Sequence, residues 1–277
     1  MTEIKRFNNF SEFCFYNIDF LESNRMLNVF LRRTMNEVIQ GRKIPYEFFN
    51  IKNGNTQIVI LRIPQICLIY SNQYEAELIP ILSKEIKFHE FLRYNFAGNK
   101  QIIESLLKYN ESEYSIQKHL IIYRCDKVSP DFNYAPGEMK LASIDESDIL
   151  ISFNRSFKKE YNGEEESYEE ASDFIISSLE KKNLFVWKNR NQLCSVAQVI
   201  FKEENDYPEI GHVFTEPNLR KRGFAPSLVH KLTNYLINSG NKKCMLYTNG
   251  TNQASNRAFT KIGYVKTGDY IMCYKEK

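Results

Sequence analysis

The amino-acid sequence predicts an α+β protein with a mixed β-sheet, divided into two domains. Helical and strand patterns alternate along the chain, and residues 127–137, which contain two prolines and a glycine, interrupt any regular element. The length of 277 residues also suits two domains of roughly 100–200 residues each. We therefore predict an N-terminal α+β domain over residues 1–128 and a second domain over residues 138–277.

The composition is that of a globular protein and argues against two classes of partner. Hydrophobic residues make up 43% of the chain and charged residues 26%. A net charge of +3 is too small to indicate nucleic acid or an anionic membrane as the main partner, so any anion site must be local. Residues 1–8 lack the apolar core of a signal peptide. We expect a cytoplasmic monomer or homodimer.

The cysteines are scattered singly and form no Cys-x-x-Cys pair, which argues against a zinc site. A chain of this length buries enough apolar surface without disulfides. We therefore expect no metal, and we expect reduced core residues at Cys14, Cys67, Cys125, Cys194, Cys244 and Cys273.

Hydrophobic periodicity predicts the elements of both domains. The N-terminal domain has predicted helices at 20–38, 75–88 and 100–109 and predicted strands at 58–64, 66–70 and 118–125. The second domain has predicted helices at 147–158, 166–182, 226–239 and 253–261, and predicted strands at 139–142, 184–188, 193–201, 208–214 and 243–248, with a final strand pair within 264–274. The acidic run at 164–166 suits the first turn of a helix.

A basic loop between a strand and a helix carries the chemical signal. The predicted strand that ends at Phe214 is followed by Arg220, Lys221, Arg222 and Gly223. Because a helix begins directly after this loop, its free backbone N–H groups and its cations would together bind an anion such as a diphosphate. Taken alone, the basic tripeptide is better explained as a solvated turn before an amphipathic helix, since the loop has neither the Walker spacing nor a Gly-x-Gly-x-x-Gly pattern.

A second motif follows some thirty residues later. Asn252 is placed to cap the helix predicted at 253–261, and Gly263 is placed to terminate it. Ser255 lies in the first turn of that helix. Capping alone would explain the asparagine and the glycine.

The two motifs together resemble the GNAT superfamily of N-acetyltransferases, over residues 139–277. Arg220-x-x-Gly223-x-Ala225 is similar to the family's acyl-CoA diphosphate motif, and Asn252-x-x-Ser255 followed by 261–264 is similar to its last motif. The resemblance implies a splayed mixed sheet and acetyl-CoA as the acyl donor. It implies cofactor contacts from Val213, Phe214, Thr215, Arg220, Lys221, Arg222, Gly223, Phe224, Ala225, Asn252 and Ser255. The N-terminal domain, of unknown role, carries no such motif, but domains fused ahead of this fold are sometimes degenerate copies of it.

The resemblance also implies direct attack of a primary amine, from a small molecule or a peptide, on the thioester. Glu209 lies at the spacing of the family's catalytic glutamate, and His212 is the other candidate base. Strict strand alternation puts their side chains on opposite faces, so only one would act. Glu209 could equally be a solvated residue at the edge of the strand, and His212 could be structural.

The chain departs from the family pattern at Phe259, where many members have a tyrosine that protonates the leaving thiolate. Tyr264, Tyr247 or Tyr270 would have to replace it, or no acid is needed because the thiolate leaves readily. A weakly active or inactive acyl-CoA-binding module therefore stands as the alternative to an N-acetyltransferase.

Overall fold

The chain forms two compact units. The structure, a computed structural model, describes residues 2–90, 94–163, 165–201 and 207–276. The first unit comprises Met1–Ile122, Thr248–Thr251 and Thr267–Lys277, and the second comprises Tyr123–Tyr247 and Asn252–Lys266. These units differ from the predicted domains, because residues 123–137 group with the second unit, and residues 248–251 and the last eleven residues group with the first.

The first unit combines helices with a mixed sheet, as predicted. Its helices are α1 (Phe10–Tyr16), α2 (Ile18–Ser23), α3 (Val29–Ile39), α4 (Leu78–Glu85) and α5 (Lys100–Tyr109). Its strands are β1 (Glu3–Arg6), β2 (Glu47–Asn53), β3 (Thr56–Ile63), β4 (Ile66–Ser71), β5 (Tyr94–Asn99) and β6 (Tyr114–Cys125), whose last residues belong to the second unit. Strands β1 to β4 pair antiparallel in order, and β4 pairs parallel with β5.

The single helix predicted at 20–38 is wrong, because two separate helices, α2 and α3, occupy this region. The side-chain amides of two asparagines interrupt the helix between α2 and α3. The Asn24 side chain accepts a hydrogen bond from the backbone N–H of Leu27 (3.1 Å), and the buried Asn28 side chain donates to the carbonyl of Phe20 (2.9 Å). Asparagine competes in this way with the helical backbone, and apolar spacing alone does not register the competition.

The second unit repeats the element order of the first. It contains β7 (Glu138–Leu141), α6 (Ser147–Asn162), α7 (Tyr168–Glu180), β8 (Leu184–Asn189), β9 (Gln192–Ile200), β10 (Glu209–Thr215), α8 (Phe224–Asn238), β11 (Cys244–Asn249) and α9 (Gln253–Ile262). Strands β7 to β10 pair antiparallel, and β10 pairs parallel with β11. Three antiparallel strands, a helix and a parallel strand thus occur in both halves, which agrees with the expected degenerate copy.

The predicted final strand pair is wrong, because a single strand, β12 (Val265–Lys275), closes the chain. Its residues 270–275 pair antiparallel with β5 in the first unit. The chain continues through Gly268 without a turn. A Cβ atom at this position would lie 2.4 Å from Cδ1 of Leu27, so the glycine allows the leucine side chain to approach the strand.

Each unit has its own hydrophobic core. The core of the first unit packs α4 and α5 on β2 to β5, and that of the second packs α6 and α7 on β8 to β10. Five of the cysteines are buried as predicted, and Cys14 is half-buried. Among the described helices, none is long and apolar enough to cross a bilayer.

The segment predicted as a domain boundary packs on α8 through His230. The His230 ring is 4% exposed, and its Nε2 lies 2.8 Å from the carbonyl of Ser129. Because a carbonyl only accepts, Nε2 carries the proton and Nδ1 accepts from the Tyr134 hydroxyl at 2.8 Å. The Phe132 ring stacks on His230 at 4.2 Å between centroids. Burial lowers the pKa of His230.

We expect the free energy of unfolding to fall as the pH is lowered from about 7. The pKa of His230 is lower in the folded chain than its unfolded value of about 6.5, so protonation favours the unfolded state. His230→Gln should be less stable than the wild type at pH 7.5 and should show a weaker dependence on pH. Denaturant titrations between pH 7.5 and 5 measure this.

His89→Gln is the control, since His89 is exposed on a short 3₁₀-helix, and it should keep the wild-type pH dependence. Equal pH dependence in the two variants would contradict the assignment of a buried neutral imidazole at position 230.

Candidate functional site

Strand β10 is irregular at its centre. Gly211 pairs with Gln198 of β9 and Phe214 pairs with Val196, so two residues of β10 stand opposite one residue of β9. His212, one of the extra pair, has a φ of +48°. The strict alternation predicted through this strand is therefore wrong. Such bulges leave main-chain groups unpaired and change the direction of the following side chains.

Strand β10 also separates from its parallel neighbour. Within the residues that the structure describes, its pairing with β11 is confined to Glu209 and Met245. The equivalent strands of the first unit, β4 and β5, pair over four successive residues, and the Asn99 side chain accepts a further bond from the N–H of Ser71 (2.6 Å). The second unit thus has an open strand edge where the first unit is closed.

The open strand leads into a loop with free amides. A 3₁₀ turn (Pro217–Leu219) precedes Arg220, and Lys221 and Gly223 have φ values of +63° and +81°. Gly223 is the N-cap of α8 and has no side chain to cap it. The first N–H groups of α8 have no partner within the helix, and they carry its positive dipole end. The predicted strand–loop–helix arrangement is present.

Gly223 is required by its backbone conformation rather than by crowding. A Cβ atom there would meet only the Cβ of Ala135, at 3.7 Å, which is an ordinary contact. The space beside the loop is therefore open to a ligand. An L-residue would still be strained at this positive φ.

Arg220 does not extend along the loop with its neighbours. Its Nε donates to the carbonyl of Thr215 (3.0 Å), and its Nη2 lies 2.6 and 2.9 Å from the two carboxylate oxygens of Glu160. This arrangement does not favour the predicted role of the Arg220 charge in binding the diphosphate. Lys221 and Arg222 are exposed, and the charge of Arg222 acts to lower the pKa of Cys194, which burial raises overall.

Glu209 is buried at the start of β10, 5% exposed, so the alternative of a solvated edge residue is wrong. The hydroxyl of Tyr247, on β11, donates to its Oε2 at 3.0 Å. Partial burial and then the charge of Glu209 raise the pKa of Tyr161, at the end of α6. A carboxylate and a phenol therefore lie in contact at the point where β10 and β11 separate, and the charge of Glu209 reaches the phenol of Tyr161.

His212 packs between two aromatic rings. Its ring centroid lies 4.9 Å from that of Phe157 on α6 and 4.9 Å from that of Phe174 on α7. These contacts agree with a structural role. Of the two candidate bases, Glu209 has the better position.

Tyr264 is buried, 2% exposed, and its hydroxyl bonds to Thr233 at 2.8 Å. Burial raises the pKa of Tyr264 well above its ordinary value, so this phenol is badly placed to protonate a thiolate. This burial argues against Tyr264 as the acid. Tyr270 belongs to the first unit, where its ring packs on Phe30. Tyr247 is the remaining candidate acid, because its hydroxyl contacts Glu209.

Asn252 caps α9 as predicted. Its side chain accepts from the N–H of Ser255 (3.0 Å), and Gly263 ends the helix with a φ of +115°. Both local predictions are confirmed. The contribution of Asn252 and Ser255 to cofactor binding stays a prediction.

A surface depression of about 260 Å³ lies elsewhere, between α6 and the start of α7. Part of its charged lining is engaged within the depression: Lys159 contacts Glu165, and Nε of Arg155 donates to the carbonyl of Glu166 (3.0 Å). It contains none of the predicted cofactor residues.

Comparison with known proteins supports the resemblance. Residues 189–272 match the family model described as FR47-like protein. The fold is similar to that of a GNAT-family acetyltransferase from Colwellia psychrerythraea, with 13% identity and a TM-score of 0.57 over 99% of this chain and 100% of that chain. It is also similar to a GCN5-related N-acetyltransferase from Sphaerobacter thermophilus, with 10% identity and a TM-score of 0.59 over 99% and 95%. No curated protein sequence matches.

The similarity to both structures extends over the whole chain and therefore includes the first unit. The predicted resemblance to the GNAT superfamily is thus confirmed at the level of the fold, and the match of residues 189–272 covers the β10–loop–α8 site.

We expect Gly223→Ala to lower the free energy of unfolding by about 1–2 kcal/mol, since an L-residue is strained at a φ of +81°. Gly41→Ala is the matched control for strain, with a φ of +72° and no atom within 4 Å of its Cβ position. Denaturant unfolding should give similar losses. An unchanged stability for Gly223→Ala would show that the loop does not hold the left-handed conformation.

Proposed function

We propose that this chain, which has the fold of the GNAT acetyltransferases, is an acetyl-CoA-dependent N-acetyltransferase acting on a primary amine. The observation that carries the proposal is the interruption of β10, which opens directly into the Gly223 amides at the N-terminus of α8. A strand edge followed by an anion-binding loop suits a ligand with an amide-containing arm and a diphosphate.

The donor would lie along β10 and the loop. Main-chain groups of Val213, Phe214 and Thr215 would pair with the pantetheine arm. The amides of the loop, with the first turn of α8 at Phe224 and Ala225, would bind the diphosphate. Lys221 and Arg222 would add positive charge. The cytoplasmic location also remains a prediction.

Glu209 is our candidate for the general base. An amine with a pKa near ~10.4 is mostly protonated at pH 7, and freeing its lone pair costs about 4–5 kcal/mol. The buried carboxylate of Glu209 would accept that proton. A positioned base contributes roughly 10²–10⁴-fold, and orientation of the two reactants can contribute about 7–11 kcal/mol.

Tyr247 is our candidate for the acid that Phe259 does not supply. The amine nitrogen bonds to the acetyl carbon, the carbon–sulfur bond breaks, the nitrogen releases its second proton to water, and the thiolate takes the phenol proton of Tyr247. Glu209, protonated by the amine, then returns its proton to the Tyr247 oxygen along the existing 3.0 Å hydrogen bond. Both residues end in their starting states.

One observation keeps a second function open. Phe259 is buried against the Tyr264 and Tyr123 rings and carries no acidic proton, so an acyl-CoA-binding module with little turnover is the alternative. A thiol-release screen over polyamines, amino acids, aminoglycosides and peptides separates the two. CoA release with at least one amine supports the enzyme. Binding of acetyl-CoA without release over the panel supports the module.

We expect Lys221→Ala combined with Arg222→Ala to weaken acetyl-CoA binding about tenfold or more, since hydrogen bonds to charged groups contribute roughly 1.5–3 kcal/mol each. Isothermal titration at two salt concentrations measures this. Lys181→Ala with Lys182→Ala is the control, because both lysines are exposed and Lys182, like Lys221, has a positive φ. Equal acetyl-CoA affinities in the two double variants would exclude the loop as the diphosphate site.

We expect Glu209→Gln to lower the acetylation rate near pH 7 by about 10²–10⁴-fold, and by less at pH 9, where more amine is already neutral. The pH dependence of thiol release measures the difference. Glu180→Gln, at the exposed end of α7, should match the wild type at both values. A loss of the same size at both pH values would rule out Glu209 as the base.

A further inference from the structure

The side chain of Arg220 is held by three contacts that lead away from the amide loop. It donates from Nε to the carbonyl of Thr215 (3.0 Å) and from Nη2 to the carboxylate of Glu160 (2.6 and 2.9 Å). Its guanidinium carbon also lies 5.4 Å from the centroid of the Phe214 ring. One cation therefore joins the end of β10 to the last turn of α6.

Helix α6 is otherwise held on β10 by aromatic packing. Phe153 packs edge-on against Phe214 (5.3 Å between centroids), and Phe157 packs against His212 (4.9 Å). Glu160 lies one turn beyond Phe157, and the next residue, Tyr161, is close enough to Glu209 for the charge of that carboxylate to act on its pKa. The contact of Arg220 with Glu160 thus holds the last turn of α6, which contains Tyr161, to the end of β10.

The two elements joined by this contact have different tasks in the proposed reaction. The loop that begins at Arg220 would hold the donor, and the end of α6 would form the wall on the amine side of Glu209. A displacement of either element would strain the Arg220–Glu160 contact. Lys221 and Arg222 are further exposed cations next to the amides, and neither is held by Glu160, so both would be available to a diphosphate without Arg220.

We propose that Arg220 is a positioning residue, which clamps the last turn of α6 to the donor loop through Glu160 and does not bind the diphosphate. The proposal rests on the proposed function, and it replaces the phosphate-binding role that the motif predicts for this residue. Both side chains are about half exposed, and such pairs contribute up to about 1 kcal/mol. The effect on the amine should therefore be several-fold rather than a complete loss.

The test compares Arg220→Ala, Glu160→Ala, the double variant and the charge swap Arg220→Glu with Glu160→Arg. We expect each single variant to raise the amine KM about threefold to fivefold and to leave the acetyl-CoA Kd within about twofold of the wild type. The double variant should be no worse than Arg220→Ala, and the swap should recover most of the KM. Lys159→Ala, which removes a neighbouring ion pair of α6 that does not reach the loop, should match the wild type.

Amide hydrogen exchange over residues 154–163 gives a readout without turnover. Both single variants should increase exchange there relative to Lys159→Ala, and the swap should reverse the increase. If the wild type acetylates no amine, the proposed function fails, and this exchange comparison still tests the clamp.

Two results would overturn the proposal. A tenfold or greater loss of acetyl-CoA affinity in Arg220→Ala but not in Glu160→Ala, made worse by the swap, would show that Arg220 binds the diphosphate. Unchanged KM and unchanged exchange in both single variants would show an ion pair without a positioning role.

Discussion

The parallel pairing of β10 with β11 stops after Glu209 and Met245, within the residues that the structure describes, and the candidate site depends on that break. Unpaired backbone N–H and C=O groups are costly unless water or a ligand satisfies them. The bulge at His212 also interrupts the regular pairing of β10 with β9. The first residues of β10 thus remain paired in the sheet, and the main chain of its last residues would be available to a ligand. The loop then continues this exposed main chain to the first turn of α8.

The first unit has a similar order of elements, but its equivalent strands lack the open edge on which the candidate site depends. Strands β4 and β5 remain paired, and Asn99 joins their ends through the N–H of Ser71. The segment that leads to α4, residues 72–77, has two glutamates and neither a glycine nor a cation. Its charge would repel a diphosphate, and it has no glycine equivalent to Gly223. Among the described residues, the equivalent edge of the first unit therefore lacks the features on which the candidate site of the second unit depends.

Local features of the sequence predicted much of the fold and part of the site. Caps and turn residues have local causes, so Asn252 and Gly263 were predictable, as was the helix that begins after Gly223. The contact of Glu209 with Tyr247 joins residues 38 apart, and that of Arg220 with Glu160 joins residues 60 apart. No local pattern encodes such pairs. The bulge in β10 was missed because alternation assumes a regular strand. The final strand pair was wrong because the chain continues as one strand through Gly268, which makes room for Leu27.

The position of bound acetyl-CoA in a crystal structure of the complex tests the site most directly. We predict that the diphosphate oxygens lie within hydrogen-bonding distance of the backbone N–H groups of residues 221–225, and that the pantetheine amides pair with the main chain of 213–215. A coenzyme bound elsewhere, with side chains filling the space beside Gly223, would contradict the account.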